Sequence, residues 1–251
     1  MKIIDAVITT ISTIRRPYKA ETVKLAKLLK GKKGLEVGGP SSFFKRTGYY
    51  PVYLYAKSID GVNFSTSTVW EGEIESGNTY LYLDDHKPGK QFIAEAATLE
   101  GIPGNSYDFL LSCHSLEHVA NPIKALKRWH EVLKPGAWLC LVLPDKEETF
   151  DINRPYTRFE HLLDDFNNNI GEDDETHFKE VLDLHSIERD KGVSSYQELE
   201  ERTKHNMENR CVHHHVFSFE VIKEMLTFCG FDTVLQKKAA PLHLITLAKK
   251  L

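Results

Sequence analysis

Histidine carries most of the chemistry this chain could do. His114 and His118 flank Ser115-Leu116-Glu117, His161 and His177 lie in an acidic stretch, and His213, His214 and His215 are consecutive. Near neutral pH histidine is the usual proton acceptor, so His114, His161 and His215 are candidate general bases. His118, at the start of a helix, reads as a structural hydrogen-bonding group. If residues 213–215 are extended, His213 and His215 share one side and His214 takes the other. One such pair could bind a metal with Asp173, Asp174 or His177, but nothing in the spacing fixes that geometry and no metal is assigned. The second feature is Glu36-x-Gly38-Gly39-Pro40. Glycines at a strand end let a ligand approach the backbone closely, and a following helix start offers free N–H groups. It is not the G-x-G-x-x-G of a dinucleotide fold.

These residues need elements to hold them. Ala20 to Leu29 has helical spacing, ended by Gly31 and Gly34. Residues 34–40 read as a short buried strand running into the glycine turn. Tyr107 to Ser112 is a strand. Asn121-Pro122 opens a helix with a cap and then proline, and Ile123, Leu126, Trp129, His130 and Leu133 give it one apolar face. Lys134-Pro135-Gly136 turns into Ala137 to Leu143, an apolar strand of the kind found in sheets covered on both faces. Pro51 to Ala56 and Gln91 to Ala94 are strand-like, and Arg15-Arg16-Pro17 breaks any long N-terminal element. Helices are expected over Phe159 to Asn168, Thr176 to Ile187 and Ser195 to Asn209, and another after Ser218 that ends at Cys229-Gly230-Phe231. Leu242 to Ala248 is a last strand. Strands separated by helices give a mostly parallel sheet, whose ligands bind beyond the strands' carboxyl ends.

The chain has 251 residues, 41% hydrophobic and 27% charged, with a formal net charge of −4. That suits one α/β domain with an insertion and gives no reason to expect nucleic acid as a partner. No apolar run approaches the roughly 20 residues of a membrane span, and Met1 to Ile14 lacks the pattern of a signal peptide. Cys113, Cys140, Cys211 and Cys229 form no C-x-x-C pair, which fits free thiols in a cytoplasmic protein. Between Asp145 and Val212, nineteen acidic residues face nine basic ones. The run Glu172 to Glu175 reads as a solvated loop or helix start, and Trp70 and Trp138 as packing.

One unit is more specific. Ser106 to Val119, then Pro122, then Leu133-Lys134-Pro135-Gly136 resembles the class I S-adenosylmethionine-dependent methyltransferases, in particular the large type 11 group. His215-x-Phe217-Ser218-x-Glu220, Leu226 and Gly230-Phe231 resemble that family's late helix and strand. Leu35 to Ser41, Asp60 to Glu71 and His213 to Phe217 resemble a narrower bacterial set, often assigned to glycan modification. The resemblance implies a Rossmann-like α/β fold with a mostly parallel seven-stranded sheet, helices on both faces and a helical insertion. Residues 1–144 and 213–251 would be the core and 145–212 a cap. S-adenosyl-L-methionine would be the cofactor. Glu36 would support its methionine end, and Gly38, Gly39 and Pro40 would form its loop. Asp60 or Asn63 would hold the ribose, Ala97, Thr98 and Leu99 would flank the adenine, and Ser112, Cys113 and His114 would lie near the sulfonium. Two departures stand out: the turn reads Gly-Gly-Pro-Ser-Ser, and Ala96 stands where an adenine-contacting Asp belongs.

Acceptor choice must come from outside the shared fold. Arg154, Arg158 and His161, with Tyr156 and Phe159 as an aromatic wall, would suit a saccharide or other small polar acceptor. The expected activity is O-methylation of such a molecule. The alternative is an inactive cofactor-binding module in a larger glycan-modifying assembly. Nothing in the sequence sets the oligomeric state.

Overall fold

The computed structural model describes residues 3–15, 17–83 and 88–251; Arg16, cited above as a breaker, lies outside them. The chain opens with two helices, α1 (Ile3–Arg15) and α2 (Ala20–Lys27). The sheet strands are β1 (Lys33–Val37), β2 (Ser58–Asn63), β3 (Gly77–Tyr80), β4 (Gly89–Ile93), β5 (Tyr107–Cys113), β6 (Leu133–Pro144), β7 (Phe231–Ala239) and β8 (His243–Lys250). They form one eight-stranded sheet in the order β3-β4-β2-β1-β5-β6-β8-β7. The chain runs parallel from β4 through β6, whereas β8 is antiparallel to both its neighbours and β3 to β4. The Rossmann-like expectation therefore holds with one strand more than foreseen. Gly77–Tyr80 adds to the edge, and its glycine and polar residues gave no apolar alternation to read. Phe231–Ala239 was also missed as a strand; it is half-exposed and carries Gln236, Lys237 and Lys238.

The helix α3 (Pro122–Val132) begins as expected, with Asn121 Oδ1 accepting from Lys124 N at 3.0 Å and Pro122 in its first turn. It and α8 (Phe219–Phe228) cover one face of the sheet. Ile123, Leu126, Trp129, Ile222, Met225 and Leu226 pack on Leu110, Leu139 and Leu141. Trp129 is wholly buried and its indole N–H donates to Ala96 O at 2.9 Å, so the polar end of that large ring is satisfied. The alternate residues Phe109, Leu111, Cys140 and Val142 face the other way. There the cover is not mainly helical. Ala26 and Leu29 contribute, but Phe43, Phe44, Tyr50, Val52 and Tyr53 come from the irregular stretch between β1 and β2. The expected strand at Pro51 to Ala56 is instead a single turn of 3-10 helix at Val52–Leu54, with its aromatics aimed into this core.

Between β6 and α8 the described chain forms no strand. It contains α4 (Phe159–Asn167), α5 (Phe178–Leu184), α6 (Tyr196–Lys204) and α7 (Asn206–Asn209). Asn121 Nδ2 donates to Asp165 O at 3.0 Å, and Phe159 and Phe166 pack on Phe228, so α4 rides on α3 and α8. No helix among the described residues is long and apolar enough to cross a membrane.

Candidate active site

The turn after β1 and the turn after β5 meet at the carboxyl edge of the parallel strands. Val37 lies opposite Ser112, and Ser115 Oγ donates to Val37 O at 3.1 Å. Gly38 has φ 76°, and a Cβ there would stand 2.0 Å from Ser115 Oγ. A Cβ on Gly39 would fall 2.3 Å from the Glu36 carboxyl carbon. Both glycines are therefore demanded by close approach, not merely tolerated. A cleft of about 1230 Å³ opens above this junction, larger than the roughly 300–1,000 Å³ of a typical single-ligand pocket. Gly38, Pro40, Asn63, Cys113 and His114 line it.

Other expected cofactor residues stand behind the wall. Glu36 is fully buried and accepts from Tyr53 Oη and Tyr80 Oη at 2.7 Å each and from Ser41 N at 3.0 Å. Burial pushes its carboxyl up to about 7 against the lowering effect of those hydrogen bonds. It shapes the loop from beneath. Asp60 does not reach the cleft. It sits opposite Leu35 inside β2, three residues before the strand end, where Tyr107 Oη (2.8 Å), Lys33 Nζ (2.9 Å) and Lys90 N (2.9 Å) occupy it. Asn63, at the strand end, is the one that lines the cleft, and its Nδ2 donates to Gly39 O at 3.1 Å. Ala97 and Leu99 belong to the core, and Thr98 and Leu99 spend their carbonyls on Arg128. The wall on that side is Ala94, Glu95 and Ala96, immediately after β4. Ser112 is buried within β5, one residue short of the opening.

The histidines separate sharply. His114 lines the cleft, but its Nε2 pairs with His243 Nδ1 at 2.9 Å. Burial first, then the neighbouring His243 and His213, hold its pKa down to about 3. His215 is buried away from the cleft against Ala120 O, and His161 meets His177 on the cap. Neither lines the opening, so neither sits where a base is needed. Residues 213–215 form no strand, and two-residue alternation fails there: His213 turns to the cleft, His214 to Asn206 and His215 to His177.

His213 is the histidine with the machinery of a base. Its Nδ1 meets Asp151 Oδ2 at 2.5 Å, and Arg154 Nη1 donates to Asp151 Oδ1 at 2.9 Å and to His213 O at 2.8 Å. Burial alone would lower the His213 pKa, but the Asp151 charge and hydrogen bond carry it above its ordinary value. Beside it Glu117 is wholly buried, with neither carboxylate oxygen hydrogen-bonded, and burial raises its pKa to about 7. Its Oε1 stands 3.6 Å from His114 Nδ1, and a carboxyl without a hydrogen bond at the wall of a cleft is suited to a ligand. Asp151 and Glu117 went unnoticed in the sequence. Asp151 lies far along the chain from His213, and no spacing rule joins them.

The segment before His213 forms the roof. Thr149, Phe150, Arg189, Asp190, Lys191 and Arg202 line the cleft. Arg210 latches roof to core: its guanidinium reaches Glu95 and Glu172 at 2.8 Å each and lies 5.0 Å from the centre of the Phe64 ring. Glu172 is thus bonded, not solvated as the acidic run suggested. Trp70 lines the cleft, half-exposed, with its ring 5.2 Å from His118. The groups first expected to meet an acceptor are elsewhere. Arg154 is a buried strut, Arg158 is exposed ahead of α4, Tyr156 Oη bonds Glu147, and Phe159 packs on Phe228.

A family model described as a methyltransferase domain matches residues 11–236. No curated protein sequence matches the chain. Among solved structures, the fold is similar to an S-adenosylmethionine dependent methyltransferase from Mesorhizobium loti. That pair has a TM-score of 0.53 at 13% identity over 91% of this chain and 98% of that one. A Listeria monocytogenes protein assigned to the same activity gives 0.51 at 15% identity over 92% and 99%. The trans-methyltransferase CalH in complex with S-adenosylhomocysteine gives 0.51 at 11% over 93% of this chain and 55% of that one. Identities this low speak for the fold alone.

Proposed function

The chain belongs to the methyltransferase-domain family, and from that premise we propose that it methylates a hydroxyl oxygen of a saccharide or another small polar metabolite, with His213 as general base. It is an S-adenosylmethionine-dependent methyltransferase. The cofactor supplies a methyl group on a positively charged sulfur, already a strong electrophile. Gly38, Pro40 and Asn63, with Ala94 to Ala96, suit its nucleoside and methionine parts: Gly38 leaves room for a ligand to lie against the backbone, and Asn63 and Glu95 bring polar groups to the wall. The buried Glu117 carboxyl, which makes no hydrogen bond, offers a partner for positive charge or a hydroxyl.

The protein's own work is to place an acceptor oxygen in line with the methyl carbon, exclude water and take one proton. With Nδ1–H directed to Asp151, the Nε2 lone pair of His213 would accept the proton of the acceptor hydroxyl; the cofactor, held at Gly38, Pro40 and Asn63, would supply the methyl group and leave as a neutral thioether. Asp151 stabilises the imidazolium that results, and Arg154 fixes Asp151. The observation that carries this reading is the 2.5 Å His213–Asp151 contact on the cleft wall.

The acceptor class rests on the roof. Residues 145–212 act as a cap, and Arg189, Asp190, Lys191 and Arg202 give hydrogen-bonding groups beside Trp70 and Phe150, a mixture suited to sugars. The four free cysteines fit a cytoplasmic location. The test is release of S-adenosylhomocysteine against a panel of saccharides and hydroxylated metabolites, repeated with residues 150–205 deleted. Turnover surviving that deletion, which also removes Asp151 and Arg154, would overturn both the cap and the His213 base. Turnover confined to amine acceptors would overturn the oxygen assignment.

A further inference from the structure

The histidines that do not reach the cleft meet one another outside it. We propose that His161, Asp165, His177 and His215 form a binding site for a divalent transition-metal ion of the zinc type, tying the cap to the segment that re-enters the core. One ring nitrogen from each histidine and one Asp165 carboxylate oxygen all lie within 4.8 Å of one another. None of the four lines the cleft.

The local geometry suits tetrahedral coordination. Ligands about 2.0–2.1 Å from zinc stand about 3.4 Å apart. Here His161 Nε2 lies 3.6 Å from Asp165 Oδ2 and 2.8 Å from His177 Nε2, and His215 brings one ring nitrogen within 4.8 Å of all three. His161 and Asp165 are one helical turn apart on α4 and so share a face. His177 stands at the start of α5, and His215 comes from the returning chain.

Protons alone leave this cluster incomplete. Asp165 Oδ2 and His215 Nδ1 are buried without a hydrogen-bond partner, an expensive state for a carboxylate. His177 Nδ1 is engaged by Asp174 Oδ2 at 2.8 Å, which leaves Nε2 as the nitrogen with a lone pair facing the cluster. That carboxylate–imidazole support is the usual outer shell of a metal-bound histidine. His215 Nε2 also stands 3.1 Å from Ala120 O, so its two nitrogens divide between carbonyl and ion. The imidazoles are crowded, with ring centres 4.8 Å apart for His177–His215 and 5.1 Å for His161–His177. His161, with 45% of its side chain exposed, leaves an entry path, while Asp165, His177 and His215 are buried. Nitrogen and carboxylate donors in this number suit zinc better than calcium or magnesium.

The full chain, purified without a histidine tag, is assayed for zinc by mass spectrometry, stripped with a chelator, and titrated with zinc(II) and with cobalt(II). The expected result is one zinc per chain, the intense visible absorption of tetrahedral cobalt, and a Tm lower by roughly 5–10 °C in the stripped protein. His161→Ala is the main variant because that side chain is half-exposed and its loss leaves the core intact. It and Asp165→Asn should weaken zinc binding at least tenfold, and Asp174→Asn by about 10-fold. His205→Ala, an exposed histidine outside the cluster, should bind as the parent does. No metal taken up by the stripped protein would overturn the site. So would zinc binding lost in His213→Ala but kept in His161→Ala, which would move the ion to the cleft.

Discussion

Nδ1 of His213 lies 2.5 Å from Oδ2 of Asp151, and both side chains are nearly sealed from solvent. A carboxylate on one imidazole nitrogen does two things. It fixes the tautomer so that the other nitrogen carries the lone pair, and it raises basicity by stabilising the protonated ring. The same site contains His114, whose environment does the opposite.

Replacing His213 by Gln should lower kcat/KM by about 10²–10⁴, the usual contribution of a positioned general base. Cofactor affinity, read by calorimetry, should stay within about threefold because Gln keeps the volume. His114→Asn should cost far less, since a ring held at a pKa of about 3 is a poor proton acceptor at neutral pH. If His114→Asn were the more damaging change, the base has been assigned to the wrong ring.

The pH profile follows from the sign of the His213 shift. The base works only when unprotonated, so kcat/KM should climb with pH through a midpoint above the ordinary histidine value of 6.5. Asp151→Asn removes the charge that raises it, so the midpoint should move to lower pH while the plateau rate falls. An unmoved midpoint in Asp151→Asn would mean that another group titrates.

The same pair predicts an acid-sensitive fold. Asp151 is held down at about 2, below its ordinary 3.8, although burial alone would raise it, because the His213 charge and hydrogen bond and then Arg154 outweigh that cost. A depressed carboxyl stabilises above its unfolded pKa, and that stability is lost as pH falls from about 3.8 towards 2. The shift is equivalent to about 2 kcal/mol. His213, shifted up, adds stability below 6.5 that fades as pH rises through its folded value. Urea midpoints measured across this range should therefore peak between the two windows, and Asp151→Asn should flatten the curve.

Gly38→Ala tests the loop. The substituent would meet Ser115 Oγ, and a φ of 76° is strained for any residue with a Cβ. Affinity for S-adenosylmethionine should fall at least tenfold, by about 1.4 kcal/mol or more. Ser115→Gly added to it should restore only part, because the backbone strain stays. Glu36→Gln should be mild, since an amide oxygen still accepts from the tyrosines. Glu36→Leu takes away the carboxylate to which Tyr53 and Tyr80 donate, leaving Ser41 N only Tyr53 Oη, and should cost both stability and binding.

How much of this could be read in the sequence depends on distance along the chain. The strand Tyr107 to Ser112, the Asn121-Pro122 cap and the glycine turn were legible because their signals are local: apolar runs, a capping side chain, a backbone that needs room. Asn63 rather than Asp60 could not be chosen, since which residue ends β2 depends on its register against β1. Ala97 to Leu99 were misplaced for the same reason, by a few residues past the end of β4. His213 could not be told from His215, because irregular backbone breaks the alternation that would have separated them. Asp151, Glu117 and Arg210 carry meaning only through partners distant in sequence, and no periodicity reports those.

Arg210 gives the last prediction. It joins the end of the cap to Glu95, just beyond β4, and to Glu172. Burial already lifts Glu172 to about 7, with Arg210 pulling it down. Removing the guanidinium as Arg210→Met should raise that carboxyl further, so that it holds a proton at neutral pH, which limits the damage. Glu95 is more than a third exposed, which weakens its share of the interaction. The expected loss is therefore about 1–3 kcal/mol, below the 3–5 kcal/mol typical of breaking a fully buried pair. Because Arg210, Glu95 and Glu172 all line the cleft, cofactor affinity should fall with stability, and Glu172→Gln, which keeps a hydrogen-bond acceptor, should spare more of both. An Arg210→Met protein with unchanged Tm and unchanged cofactor affinity would show that the cap is held without the latch, by the packing of α4 on α3 and α8 and by the Asn121 and Arg154 hydrogen bonds.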